Sequence, residues 1–92
     1  EFREAVMRDW IPNVRRFRPD LILISAGFDA HKDDPLAYLK LTEDDYRWVT
    51  AEIMKLANEF SKGRLVSALE GGYNLDALGR SVTEHIRVLM GS

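Results

Sequence analysis

Apolar side chains at Phe2, Val6, Trp10, Val14 and Phe17 recur every three to four residues, the period of a helix face. Pro12 falls inside that pattern and lacks a backbone donor, which predicts a kink or break near Trp10–Ile11 in place of a straight helix. Pro19 excludes the helical region at Arg18 and helps to end the element. The pattern then changes. Leu21-Ile22-Leu23-Ile24 is a continuous apolar run of branched side chains, which suits a strand covered on both faces, as in a parallel sheet with helices on either side.

Ser25 to Lys40 reads as a loop, with Gly27, Pro35 and a concentration of charge from Asp29 to Asp34. Thr42 is a helix cap, and Glu43, Asp44 and Asp45 fill the first turn, where the helix dipole favours negative charge. Tyr46, Val49, Ile53, Leu56, Ala57 and Phe60 follow at helical spacing, and Gly63 stops the helix just after the cationic Lys62. Leu65-Val66-Ser67-Ala68-Leu69 is a second buried strand. Glu70-Gly71-Gly72-Tyr73 makes a tight turn, because paired glycines reach backbone angles closed to other residues. Asn74 caps a last helix bearing Leu75, Leu78, Val82, Ile86 and Leu89. The order helix, strand, helix, strand, helix predicts an α/β fold with a parallel sheet and right-handed crossovers. Residues 1–92 read as a single unit with no repeat, linker or low-complexity tract.

Composition narrows the function. The chain has 92 residues, 46% hydrophobic and 30% charged, with 13 basic side chains against 15 acidic ones. A net charge of −2 excludes a charge-driven nucleic-acid binder. No apolar run approaches the roughly 20 residues of a membrane span, and the basic-then-apolar pattern of a signal segment is missing from the amino end. A cytoplasmic location is the expectation. With no cysteine there are no disulfides, thiolate metal sites or cysteine nucleophiles. The length permits one core but leaves little chain for an active-site cleft built from several loops.

In open parallel sheets ligands bind beyond the carboxyl ends of the strands. Two loops occupy that position, 25–40 and 70–74, so neighbouring strands would aim Asp29 and Tyr73 into one crevice. A carboxylate such as Asp29 at a strand end can bind a metal, act as a base or satisfy backbone donors. His31 can join it as a ligand, or serve as a hydrogen-bonded loop histidine. Asp33 and Asp34 precede Pro35, which favours a turn with local side-chain bonding over chemistry. Tyr73 follows two glycines and can donate to a developing oxyanion, or pack over the end of the sheet. Glu70 suits a general base and suits holding the turn equally well. His85, Trp10 and Trp48 lie on helical faces as packing or surface residues.

Ser25-Ala26-Gly27-Phe28-Asp29-Ala30-His31, then Asp33-Asp34-Pro35-Leu36, Leu41-Thr42 and Leu69-Glu70-Gly71-Gly72-Tyr73-Asn74-Leu75 resemble the C-terminal portion of the histone deacetylase superfamily. Phe17-Arg18-Pro19-Asp20 ahead of the first strand fits as well. The likeness covers nearly the whole chain and is nearest the class II-like branch, with acetoin-utilisation and acetylpolyamine amidohydrolase relatives. It implies an arginase-deacetylase α/β fold and zinc-dependent hydrolysis of N-acetyl amines, typically acetyl-lysine. On this likeness Asp29 matches the last of three metal ligands, and Tyr73 the tyrosine that stabilises the oxyanion. Gly71 and Gly72 match the glycines shaping the pocket, with Phe28 and Leu36 also placed at the substrate. Leu36 stands where a polyamine-selective branch carries glutamate, which points away from that specialisation.

The departures from the family are as informative. The superfamily's Asp-x-His ligand pair and tandem-histidine base have no counterpart in this sequence, and a catalytic zinc needs three protein ligands. The expectation is therefore the C-terminal portion of a zinc-dependent amidohydrolase, inactive by itself. The alternative is a free-standing α/β module with a binding or scaffold role. Two strands leave both sheet edges unpaired, which predicts a homo-oligomer. A phosphotransfer module with Asp29 as acceptor lacks the companion lysine and acidic pair.

Overall fold

The computed structural model describes residues 1–33 and 40–91. Its first helical stretch comprises α1 (Phe2–Ala5), a π-helical turn (Val6–Trp10) and α2 (Ile11–Phe17). Of the expected kink or break near Trp10–Ile11, no break in the helical backbone is seen, since Val6, Trp10 and Ile11 all keep right-handed angles, but the regular α-helix is interrupted by a π-helical turn that gives way to α2 at that point. The wider turn is the physical reason. It sets Pro12 in the first turn of a fresh α-helix, where its missing N–H needs no partner. Val6 and Ile11 are buried with Leu56, and Val14, Ile22, Trp48, Val49 and Phe60 pack around them. The stretch ends at Arg18, which takes a left-handed conformation (φ 56°) ahead of buried Pro19.

Strands β1 (Ile22–Ala26) and β2 (Leu65–Leu69) pair in parallel, from Ile22 opposite Leu65 to Ala26 opposite Leu69. β1 thus runs two residues into the predicted loop. Between them lies α3 (Glu43–Phe60), opened by a reciprocal cap. The Thr42 hydroxyl accepts from the Asp45 N–H, while the Asp45 carboxylate accepts from the Thr42 N–H at 3.0 Å. Its far end turns through left-handed Lys62 and Gly63, and the Ser61 hydroxyl donates to the Pro19 carbonyl at 2.6 Å. That bond fastens the helix end to the entry of β1. α4 (Leu75–Leu89) begins at Asn74, whose side chain accepts from the Ala77 N–H at 2.8 Å. Its most extensive helix contact is with α3.

Ile22 and Ile24 turn toward the helices, and Ala26, Phe28, Leu41 and Tyr46 form the core beneath the strand ends with Phe2, Leu78 and Val82. Leu23 and its cross-strand partner Val66 lie on the other face and are 71% and 55% exposed. Coverage on both faces, expected from the apolar runs, is therefore not realised among the described residues. Residues of α1, α3 and α4 pack with Ile22, Ile24 and Ala26 on one side of the sheet, and among the described residues the second side is left open. No described helix is long and apolar enough to cross a membrane.

Candidate active site

The parallel ladder continues past the strand ends. The Glu70 N–H donates to the Ala26 carbonyl at 2.9 Å and the Phe28 N–H to the Gly71 carbonyl at 2.7 Å. These two bonds draw the loops after β1 and β2 together. Asp29 consequently lies between two bare α-carbons. A Cβ on Gly71 would stand 3.1 Å from its Oδ2, and one on Gly27 3.2 Å from its Oδ1. The carboxylate itself is exposed. Gly72 has φ +147°, open only to glycine, and a Cβ there would come within 2.7 Å of Leu78. Tyr73 follows directly and is 56% exposed. Asp29, Gly71 and Gly72 are thus brought together at the carboxyl end of the sheet, with Tyr73 one residue beyond the turn.

Phe28, expected at the substrate pocket, is only 3% exposed. Its ring lies 4.9 Å from that of Tyr46 and 5.7 Å from that of His85, so its described contacts are in the core below the turn. The physical reason is alternation, since Asp29 and Phe28 leave the strand on opposite sides. Leu36 lies outside the described residues, as do Asp34 and Pro35. Glu70 is exposed.

His31 takes the hydrogen-bonded alternative. It is fully buried, its Nδ1 accepts from the Asp33 N–H at 3.1 Å, and its Nε2 lies 2.7 Å from Glu43 Oε2. With Nδ1 accepting, Nε2 carries the proton and donates to the carboxylate, which leaves no lone pair for a metal. The His31 bond first, and the backbone bond at Glu43 next, hold the Glu43 carboxyl below its ordinary pKa. Asp33 meets Arg80 at 3.0 Å, and the same guanidinium lies 3.5 Å from Glu43.

His85 carries more than sequence reasoning allowed it. Thr50 donates to the Tyr46 carbonyl at 2.6 Å, so its oxygen accepts from His85 Nδ1–H at 2.9 Å. Nε2 then accepts from the Ser67 hydroxyl at 2.8 Å. Burial pushes the imidazole pKa down. The signal that could have found it is a histidine interrupting the apolar stripe Leu78, Val82 and Leu89.

Among the described residues no group of three or more His, Asp or Glu side chains is placed to hold a metal. The glycine cradle and exposed carboxylate suit Asp29 to serve as a single oxygen ligand, a donor type that zinc accepts.

Residues 1–89 match the family model described as the histone deacetylase domain. The chain is 44% identical to type-2 histone deacetylase 2 of Dictyostelium discoideum, over 97% of its length and 5% of that protein's. It is 49% identical to the chloroplastic histone deacetylase 14 of Arabidopsis thaliana, over 88% of this chain and 19% of the other. The solved structure of the histone deacetylase Clr3 superposes with a TM-score of 0.85 at 33% identity, covering 96% of this chain and 14% of that one. The chain belongs to the histone deacetylase family, and it spans less than a fifth of the length of these three relatives.

Proposed function

We propose that these residues supply one part of a zinc-dependent deacetylase centre acting on N-acetyl amines, with acetyl-lysine the leading substrate class. The observation that supports this best is the Asp29 carboxylate set between Gly27 and Gly71 on the turn that leads into Tyr73. Asp29 would provide one metal ligand. A zinc ion bound there supplies Lewis-acid polarisation of the acetyl carbonyl and an acidified water. Tyr73 donates a hydrogen bond to the carbonyl oxygen as negative charge develops on it. Gly71 and Gly72 let the acyl group approach the backbone, Phe28 supports the turn from below, and Leu36 belongs to the substrate side. The remaining ligands and the base come from outside the 92 residues, because both histidines are already engaged with Glu43, Thr50 and Ser67. The chain by itself is therefore inactive.

The test is to graft the 92-residue sequence over the matching positions of a histone deacetylase and assay an acetyl-lysine peptide with zinc. The graft is expected to turn over, and Tyr73→Phe to lower kcat by about 10²–10³-fold, the effect of losing one oxyanion donor. A folded graft with no activity defeats the reading. Robust turnover by the 92 residues alone defeats the statement of inactivity.

A second reading, an oligomerising module, draws on the open sheet face at Leu23 and Val66. A homo-oligomer formed through that face predicts a mass that rises with concentration in sedimentation velocity. A strict monomer at all concentrations removes it.

A further inference from the structure

Asp29 stands on a loop that backbone bonds tie to the neighbouring turn at Phe28 and Gly71, just ahead of it. The loop leaves β1, carries an exposed carboxylate at residue 29, and must keep that carboxylate between Gly27 and Gly71. A second, side-chain anchor lies two and four residues further on, at His31 and Asp33. His31 is fully buried and bonded at both ring nitrogens, to the Asp33 N–H on one side and to Glu43 on the other. Glu43 opens α3, and its second oxygen faces the Arg80 guanidinium of α4 at 3.5 Å. Arg80 returns to the loop through Asp33 at 3.0 Å. The four side chains close a ring running from the loop to α3, to α4 and back to the loop. Inside it, Lys32 N–H donates to the Leu41 carbonyl at 2.8 Å, and Leu41 N–H to the Ala30 carbonyl at 3.0 Å.

We infer that Glu43 and Arg80 are positioning residues for Asp29, acting through His31 and Asp33 to fix the height and direction of the loop that presents it. The inference rests on the reading of Asp29 as a metal ligand. Glu43, Arg80 and Asp33 are each about two-fifths exposed, and exposed ion pairs add little to global stability. Their arrangement makes sense as geometry. A ligand must be held within about 0.5 Å of its working position, and the groups that orient it set affinity. A ring joining two helices to one short loop limits the hinge freedom that Gly27, on the same loop, would otherwise allow. It also accounts for a charged triplet, Glu43, Arg80 and Asp33, drawn from three separate elements.

Amide hydrogen exchange of the 92-residue chain, followed by NMR without metal or substrate, tests this. Glu43→Ala is expected to speed exchange at Phe28, Lys32 and Leu41 by about tenfold or more, as local opening without global unfolding does. The β1–β2 ladder and the centre of α3 keep their protection. Glu43→Gln, which still accepts from His31, stays within about threefold of the parent chain at the same amides. Unchanged loop amides in Glu43→Ala overturn the inference, and so does equal acceleration everywhere, which marks a purely structural role. Should Glu43→Ala not fold, Arg80→Ala reads the same amides, with the same local pattern expected at smaller amplitude and no change overturning the proposal. The two readings also part cleanly. A chain with this exchange pattern whose graft lacks deacetylase activity retains the lock and loses the metal-ligand reading.

Discussion

Gly71 and Gly72 are neighbours with different jobs. Gly72 needs its conformation, since φ +147° is strained for any side chain, whereas the Leu78 methyl it would meet is a flexible end. Gly72→Ala should therefore cost about 1–3 kcal/mol in urea unfolding, the usual scale of such backbone strain. Gly71 instead makes room for the Asp29 carboxylate. Gly71→Ala is expected to change stability by no more than about 0.5 kcal/mol, while shifting the Asp29 amide resonance as the carboxylate gives way. A Gly71→Ala chain with an unmoved Asp29 resonance would remove the cradle from the argument. At this scale the motif was readable in sequence. Two glycines and a tyrosine after an apolar run mark a backbone that something must approach, but which glycine serves the turn and which the carboxylate depends on residues 42 positions apart in the chain, Gly71 and Asp29, about 3 Å apart in space.

Among the elements, His85 is the knot. It joins α4 to α3 through Thr50 and to β2 through Ser67, with its ring edge against Phe28. Because the folded pKa is depressed by burial, the unfolded chain takes up the proton more readily. The neutral imidazole's contribution is whole above the unfolded value of about 6.5 and is lost as pH falls from there toward the lower folded pKa. Stability is expected to decline over that window, and His85→Gln to flatten the corresponding part of the slope in pH-dependent urea midpoints. An unchanged slope would mean His85 is not the titrating group. Thr50→Val is expected to cost about 1–3 kcal/mol, because it leaves the buried Nδ1–H without an acceptor. None of this network was legible from periodicity. Hydrogen bonds spanning 18 and 35 positions are invisible to any local window, although a polar residue on an apolar stripe signals that a partner exists.

The molecule as a whole is one half of a sandwich. Among the described residues, helices cover one face of the two-stranded sheet, while Leu23 and Val66 stand open on the other and both outer strand edges lack a partner strand. Uncovered apolar faces and edges of this kind recruit other protein surface. Replacing Leu23 and Val66 together with serine is expected to lower self-association of the 92-residue chain in sedimentation velocity and to leave its circular dichroism unchanged. If the double variant associates as strongly as the parent, the contact lies elsewhere.

Element type and order were set locally. Helical spacing, the Thr42 and Asn74 caps and the branched runs at Ile22–Ile24 and Leu65–Leu69 needed only near neighbours, and so did the likeness to deacetylases carried by the Asp29 and Tyr73 segments. Pro12 was legible only in part, for a related reason. A proline announces a lost donor, but the π-helical turn that absorbs it is chosen by burying Val6 and Ile11 against Leu56. Tertiary structure alone decided that Phe28 faces the core, that His31 bonds to Glu43 and Asp33, and that Leu23 and Val66 stand exposed on one sheet face. Each of these depends on which distant residues share a few ångströms of space, and that is settled only when the two strand ends are tied together at Phe28 and Gly71.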